Sequence, residues 1–120
     1  MIAAPPGTRS EVGLWLFMRL SGLALLVLVL GHMFLMHVLV GLNQISFAFV
    51  QARWSGAGWR AYDLVMLLLA MAHGANGVRG LAYDHLSSRP RRAALAAGYG
   101  ACLVVTVLGA WVILTFPTPV

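Results

Sequence analysis

His73 stands at the end of an apolar run, Leu64 to Ala72, with Gly77 and Gly80 one and two helical turns further along. An imidazole on a helix at membrane depth needs partners for its polar nitrogens. The two glycines share its helix face and leave bare backbone against which a flat ligand can lie. A haem fits that description, with His73 as an axial ligand to iron. The competing reading is an interhelical hydrogen bond to a Ser hydroxyl or a backbone carbonyl, common enough in membrane bundles. The glycine face favours haem.

A second group follows where the same helix leaves the membrane: Arg79, Tyr83, Asp84 and His85, facing the start of the first helix with Arg19 and Ser21. A quinone site needs a hydrogen-bond donor for each ring oxygen, an apolar cleft for the tail and a proton route to water. Tyr83 or Arg79 can donate, and Asp84 with His85 can relay protons. A snorkelling belt of interfacial side chains accounts for the same residue types. The candidate cofactor set is therefore His73, His32, Gly77 and Arg19, with His73 and His32 as the candidate iron ligands. The candidate quinone set is Asp84, Tyr83, Arg79 and Ser21.

Membrane helices must position these residues. Of 120 residues, 61% are hydrophobic and 9% charged, more apolar surface than one soluble domain could bury. Leu20–Leu42, Leu64–Val78 and Ala93–Val120 contain no Asp, Glu, Lys or Arg. The first and third suffice to span ~30 Å of hydrocarbon at ~1.5 Å per residue. The second reaches that length if its helix begins near Trp59, with Asp63 and Arg79 near the two interfaces. The expectation is an all-α integral membrane protein, a single anchor domain over residues 1–120 with helices at about 12–42, 59–83 and 92–116. Pro5-Pro6-Gly7-Thr8 reads as an extended leader, Ser10 and Glu11 as a helix start, and Trp54, Trp59 and Tyr62 as an aromatic belt. The first apolar segment is too long for the core of a cleavable signal and lacks a cleavage site, so it stays in the protein. Cys102 is the single cysteine, which excludes a disulfide framework and a thiolate cluster.

All eight basic residues are Arg, and Arg79, Arg89, Arg91 and Arg92 lie in or beside the loop between helices two and three. Positive residues stay on the cytoplasmic side. That loop and the N-terminus are therefore expected inside, and residues 43–58 and the C-terminus outside, in a multi-pass protein of the cell inner membrane. The Arg cluster has some attraction for anionic lipid or an acidic partner, and membrane attachment argues against nucleic acid. Ala93, Ala97 and Ala101, with Ala96 and Gly100 beside them, form a small-residue face expected to pack against another membrane subunit.

Depth separates the histidines. If Arg19 and Arg79 mark one interface, His73 lies ~9 Å in and His32 ~20 Å in. One iron cannot take both, so His73 needs its opposite axial ligand from another chain, and His32 serves only a second haem. For His32 a structural hydrogen bond and a ligand role weigh equally. His32 and His37 stand ~140° apart around a helix, so they do not share a face, and His37 reads as an interfacial histidine.

Trp15-Leu16-Phe17-Met18-Arg19-Leu20-Ser21-Gly22, Leu30-Gly31-His32-Met33-Phe34-Leu35-Met36-His37 and Met71-Ala72-His73-Gly74-Ala75-Asn76-Gly77-Val78-Arg79, with Asp84 five residues on, resemble the hydrophobic membrane anchor of succinate dehydrogenase. The resemblance covers all three helices and is closest to the smaller, D-type anchor, although these elements also occur in the C-type. It implies a four-subunit complex in which a flavoprotein oxidises succinate and an iron–sulfur subunit passes electrons to quinone held by two anchors. By the same resemblance His73 is a haem b ligand and Asp84 lies near the quinone. The haem, one or two in number, would be shared with the C-type anchor. This chain would not itself act on succinate. Family members commonly have Asp followed by Tyr, whereas Tyr83 precedes Asp84 here and His85 takes the tyrosine's place. Two other classes compete: a cofactor-free structural anchor or assembly subunit whose histidines are satisfied core residues, and a small transporter. The second is disfavoured because the only acids, Glu11, Asp63 and Asp84, are all expected near interfaces.

Overall fold

The computed structural model describes residues 9–119, so the Pro5-Pro6-Gly7-Thr8 leader lies outside the described residues. Three helices are long and apolar enough to cross a membrane: Arg9–Val40, Ala57–His85 and Ser88–Thr115. The first comprises α1, Arg9–Met33, and a wider π-helical continuation, Phe34–Val40. It stops at Gly41, whose φ of 81° lies in the left-handed region that favours glycine. A short helix, α2, Phe47–Trp54, then precedes α3, Ala57–His85, and α4, Ser88–Thr115. The chain is therefore an all-α, multi-pass membrane protein, as its composition predicts.

The helix ends differ from the sequence reading by a few residues, and two departures have local reasons. α2 forms inside a segment read as loop, because Ser46 caps it by accepting a hydrogen bond from the Phe49 N–H at 3.2 Å. α4 begins at Ser88 rather than near 92 because Pro90 falls in its first turn, where a missing N–H costs nothing. Only Leu86 and Ser87 separate α3 from α4.

α3 is the central helix, packing against α1 on one side and α4 on the other. Its register with α1 is antiparallel, with His73 beside Gly22, Gly77 near Met18 and Tyr62 beside Gly31. Against α4, Val78 meets Gly98 and Leu67 meets Gly109. The close α3–α4 contact thus uses Gly98 and Gly109, while Ala93, Ala96, Ala97, Gly100 and Ala101 point away from the bundle. Among the described residues the buried apolar side chains are Met36, Ala82 and Ile113 alone, and the other large hydrophobic groups are exposed or half-buried. Outward apolar surface is what lipid or a neighbouring membrane chain requires.

Glycine at the α3–α4 contact is steric. A Cβ at Gly98 would lie 2.7 Å from Cγ1 of Val78, a stiff β-branched side chain, whereas one at Gly109 would meet Cδ2 of Leu67, which can swing aside. Gly98→Ala is therefore expected to destabilise by ~1–3 kcal/mol, the usual cost of overpacking. Gly109→Ala should cost less. Thermal unfolding of the two variants in one detergent compares them directly.

The α2 end of the bundle is tied by polar groups rather than by a core. Arg60 donates through Nη1 to the carbonyls of Ile113 and Leu114, both at 2.9 Å, and through Nη2 to Phe116 at 2.7 Å. Its Nε donates to the Trp54 carbonyl at 2.5 Å. One guanidinium thus satisfies carbonyls left unpaired at the C-terminus of α4 and holds the end of α2 beside them. Phe116 also packs against Phe47 and Trp54, with ring centroids 5.0 and 5.1 Å away.

Candidate functional site

His73 points at α1. Its Nδ1 lies 2.7 Å from the Ser21 hydroxyl, and its Cε1 would be 3.4 Å from a Cβ on Gly22. The interhelical Ser bond weighed as the alternative to haem is therefore present. It uses one ring nitrogen, and among the described residues Nε2 makes no hydrogen bond. Around the imidazole the helix surface is partly open. A Cβ on Gly74 or Gly80 would meet nothing within 4 Å, while one on Gly77 would meet only the tip of Met18 at 3.9 Å. On the His73 face the open backbone is therefore at Gly80, Gly74 pointing ~100° round the helix, and the chain offers iron one imidazole nitrogen there.

Among the described residues no three His, Cys, Asp or Glu side chains converge to hold a metal ion. His32 stands level with Asp63, ten residues from His73 along α3, or ~15 Å at ~1.5 Å per residue. The two histidines are thus at different depths, the separation expected from sequence. Contact between Met18 and Gly77 places Arg19 opposite Asn76 rather than Arg79, so the two arginines are offset by about three residues. Arg19 lies outward with its guanidinium 4.7 Å from the Trp15 ring centroid.

The quinone candidates divide into two groups. Ser21 is 3% exposed and committed to His73, with a longer hydrogen bond to the Met18 carbonyl at 3.4 Å. It does not join the cluster at the end of α3. There Tyr83 lies between two guanidinium groups, Arg79 at 5.6 Å and Arg91 of α4 at 4.6 Å from its ring centroid. Arg91 is a member of this cluster that sequence reasoning assigned only to topology, and Tyr83, on the preceding helix, gave no signal of the contact. Asp84 and His85 are exposed, and His85 bonds the Leu81 carbonyl of its own helix at 3.1 Å. Because α3 continues through His85, not 83, Tyr83 and Asp84 point ~100° apart. An apolar cavity of about 370 Å³ lies alongside, lined by Val78, Leu81, Ala82, His85, Leu86 and Ala94.

Sequence reasoning missed a second polar centre at the α2 end. Asp63, read as interfacial, is 8% exposed and accepts from Trp54 Nε1 at 2.7 Å and Arg53 Nη2 at 3.4 Å. His32 Nδ1 approaches the same carboxylate to 3.5 Å, within ion-pair range but outside hydrogen-bond geometry, so this buried nitrogen stays unbonded. Trp54 and Tyr62 are turned inward, correcting the aromatic belt: the Tyr62 hydroxyl donates to the Leu28 carbonyl at 2.5 Å. Trp59 lies outward with Arg53 stacked 4.0 Å from its ring centroid. Asp63 and His32 sit at one end of an apolar groove of about 710 Å³ whose walls include Met66, Leu67 and Val105. Arg53 and Trp54 stand ten and nine residues before Asp63 in the chain, a spacing compatible with many loop paths, so the sequence carried no specific signal of this contact. His37, by contrast, is exposed and bonds the Met33 carbonyl one turn back, as an interfacial histidine should.

No curated protein matches the sequence. A family described as succinate dehydrogenase/fumarate reductase transmembrane subunit matches residues 6–114. That match spans all three membrane helices and contains both polar centres. With it, the chain belongs to the succinate dehydrogenase/fumarate reductase transmembrane subunit family.

Proposed function

We propose that this chain is the D-type anchor of a succinate:quinone oxidoreductase, binding haem b and quinone at its boundary with a C-type anchor. Supporting the reading is His73, whose Nε2 makes no hydrogen bond among the described residues, with open backbone at Gly80 on the same helix face, in a chain of this family. When bound, haem supplies a one-electron site in the membrane. His73 would hold it through Nε2, and a further protein ligand would have to come from the second anchor. His32, against Asp63, is placed to hold a second haem only with similar help. The Arg79–Tyr83–Arg91 cluster and Asp84 form the quinone end. Arg79 or Tyr83 donates a hydrogen bond to a ring oxygen, and Asp84 with His85 passes protons from water. This end faces the cytoplasm, since the Arg residues of the α3–α4 turn are retained there, and an iron–sulfur subunit carrying electrons from the flavoprotein docks on it.

The cofactor-free anchor is the second reading, and the Ser21–His73 bond favours it by satisfying one ring nitrogen without any ligand. Purification of the intact complex in mild detergent separates the two. Co-purification of a flavoprotein and an iron–sulfur protein together with a b-type band in the reduced-minus-oxidised spectrum supports haem binding. The same subunits without a band leave the structural anchor. For the quinone end, Asp84→Asn is expected to lower quinone reduction ~100-fold or more, within the range of a lost proton-transfer group, and Arg79→Ala to lower it through loss of a hydrogen-bond donor. Succinate oxidation with an artificial acceptor should persist. Parallel loss of both activities would indicate failed assembly instead.

A further inference from the structure

We propose that Ser21 is a positioning residue for His73, fixing the ring tautomer and aiming Nε2 away from α1, rather than a quinone-binding group. The inference rests on His73 being an axial haem ligand. Ser21 is 3% exposed, and both directions of its hydroxyl are committed, to His73 Nδ1 at 2.7 Å and to the Met18 carbonyl at 3.4 Å. A hydroxyl has one proton and two lone pairs. Met18 offers only an acceptor, so a serine proton directed to it leaves the oxygen to accept from Nδ1–H. The imidazole then carries its single proton on Nδ1 and presents a lone pair at Nε2, the form that binds a metal. In the opposite arrangement the serine proton points at Nδ1, Nε2 carries hydrogen, and no ligand bond forms. The Met18 carbonyl therefore selects the ligating tautomer through Ser21.

Orientation follows from the same contacts. Gly22 stands against Cε1, where a Cβ would be 3.4 Å away, so the ring edge bearing Nδ1 and Cε1 is seated on α1. A donor nitrogen held in this way keeps the ring from turning and raises the basicity of its other nitrogen. Among the described residues no other titratable side chain hydrogen-bonds or ion-pairs with His73, and Arg19 of α1 and Arg79 of α3 are engaged with Trp15 and Tyr83.

The test uses the purified complex with Ser21→Ala, and with Ser21→Thr and Ser21→Val, which share a shape and differ in the hydroxyl. His73→Ala accompanies them. Haem content, midpoint potential and the low-spin electron paramagnetic resonance signal are the readouts. The expected result is ~10- to 100-fold weaker haem retention in Ser21→Ala and Ser21→Val, typical of a lost outer-shell partner. Any haem retained should have a raised potential, because a less basic ligand stabilises the oxidised iron less. Thr should restore the native signal. Should His73→Ala lose its haem while Ser21→Ala and Ser21→Val keep native content, potential and resonance signal, the positioning role is overturned and the ligand role stands. A raised apparent KM for quinone with native haem properties would also overturn it and return Ser21 to the quinone site. Native haem in His73→Ala overturns both readings together.

Discussion

His73→Ala is expected to abolish the part of the b-type band that belongs to the haem it holds, which is the whole band if the complex carries one haem. Its Nε2 is the ring nitrogen that the Ser21 contact leaves unbonded, and the backbone at Gly80 is open on the same helix face. Loss of an axial ligand exceeds the ~10- to 100-fold penalty of losing an outer-shell partner, so occupancy should fall below detection. His37→Ala serves as the control, since that side chain is exposed and bonded to its own helix. His32→Ala reads haem number: half the band remaining means a second haem at the Asp63 level, and a full band means one. An intact band in His73→Ala would remove it from the ligand list and leave Ser21–His73 as a plain interhelical bond.

Asp63→Ala should be the most destabilising single change in the protein. Its carboxylate accepts from Trp54 and Arg53 and lies against His32, in a site where the side chains of Arg53 and Asp63 are only 8% and 10% exposed. Removing the acid leaves an uncompensated guanidinium and an unpaired indole N–H inside the bundle. Removal of one partner from a buried pair costs about 3–5 kcal/mol. Because Trp54 and Arg53 belong to α2, the loss also frees that helix from the bundle end. Asp63→Asn, which still accepts from Trp54 through its amide oxygen, should lose less. Thermal unfolding measures the difference, and protease sensitivity between Gly41 and Gly56 reports release of α2. Equal stability of Asp63→Ala and the unaltered protein would mean that water or lipid headgroups replace the carboxylate at no cost.

The three spans were legible because uncharged runs of this length have few other fates, and the separation of His32 from His73 followed from helical rise alone. What was illegible depended on contacts between elements. Asp63 is near a helix end in sequence, and nothing in spacing says that α2 folds back to bring Trp54 and Arg53 onto it. Ser21 was assigned by proximity to Arg19, but helical rotation separates them: residues two apart point ~200° apart, so Ser21 turns inward to His73 while Arg19 turns out. The small-residue face of Ala93, Ala97 and Ala101 was read as a contact with another subunit and does point away from the bundle, whereas the seam with α3 uses Gly98 and Gly109, which the sequence did not single out because a seam is chosen by the partner's side chains as well as by residue size.

The two-residue turn at Leu86–Ser87 limits how the chain can vary in length. One residue added there would rotate α4 by ~100° and shift it ~1.5 Å against α3. Tyr99 or Ala97 would then replace Gly98 opposite Val78, and Arg91 would leave the face of Tyr83. Between Gly41 and Ser46 the backbone already changes direction outside any long helix, and an extra residue there lengthens the connection without altering the α3–α4 register. Insertions should therefore be tolerated before α2 and rejected at the hairpin tip.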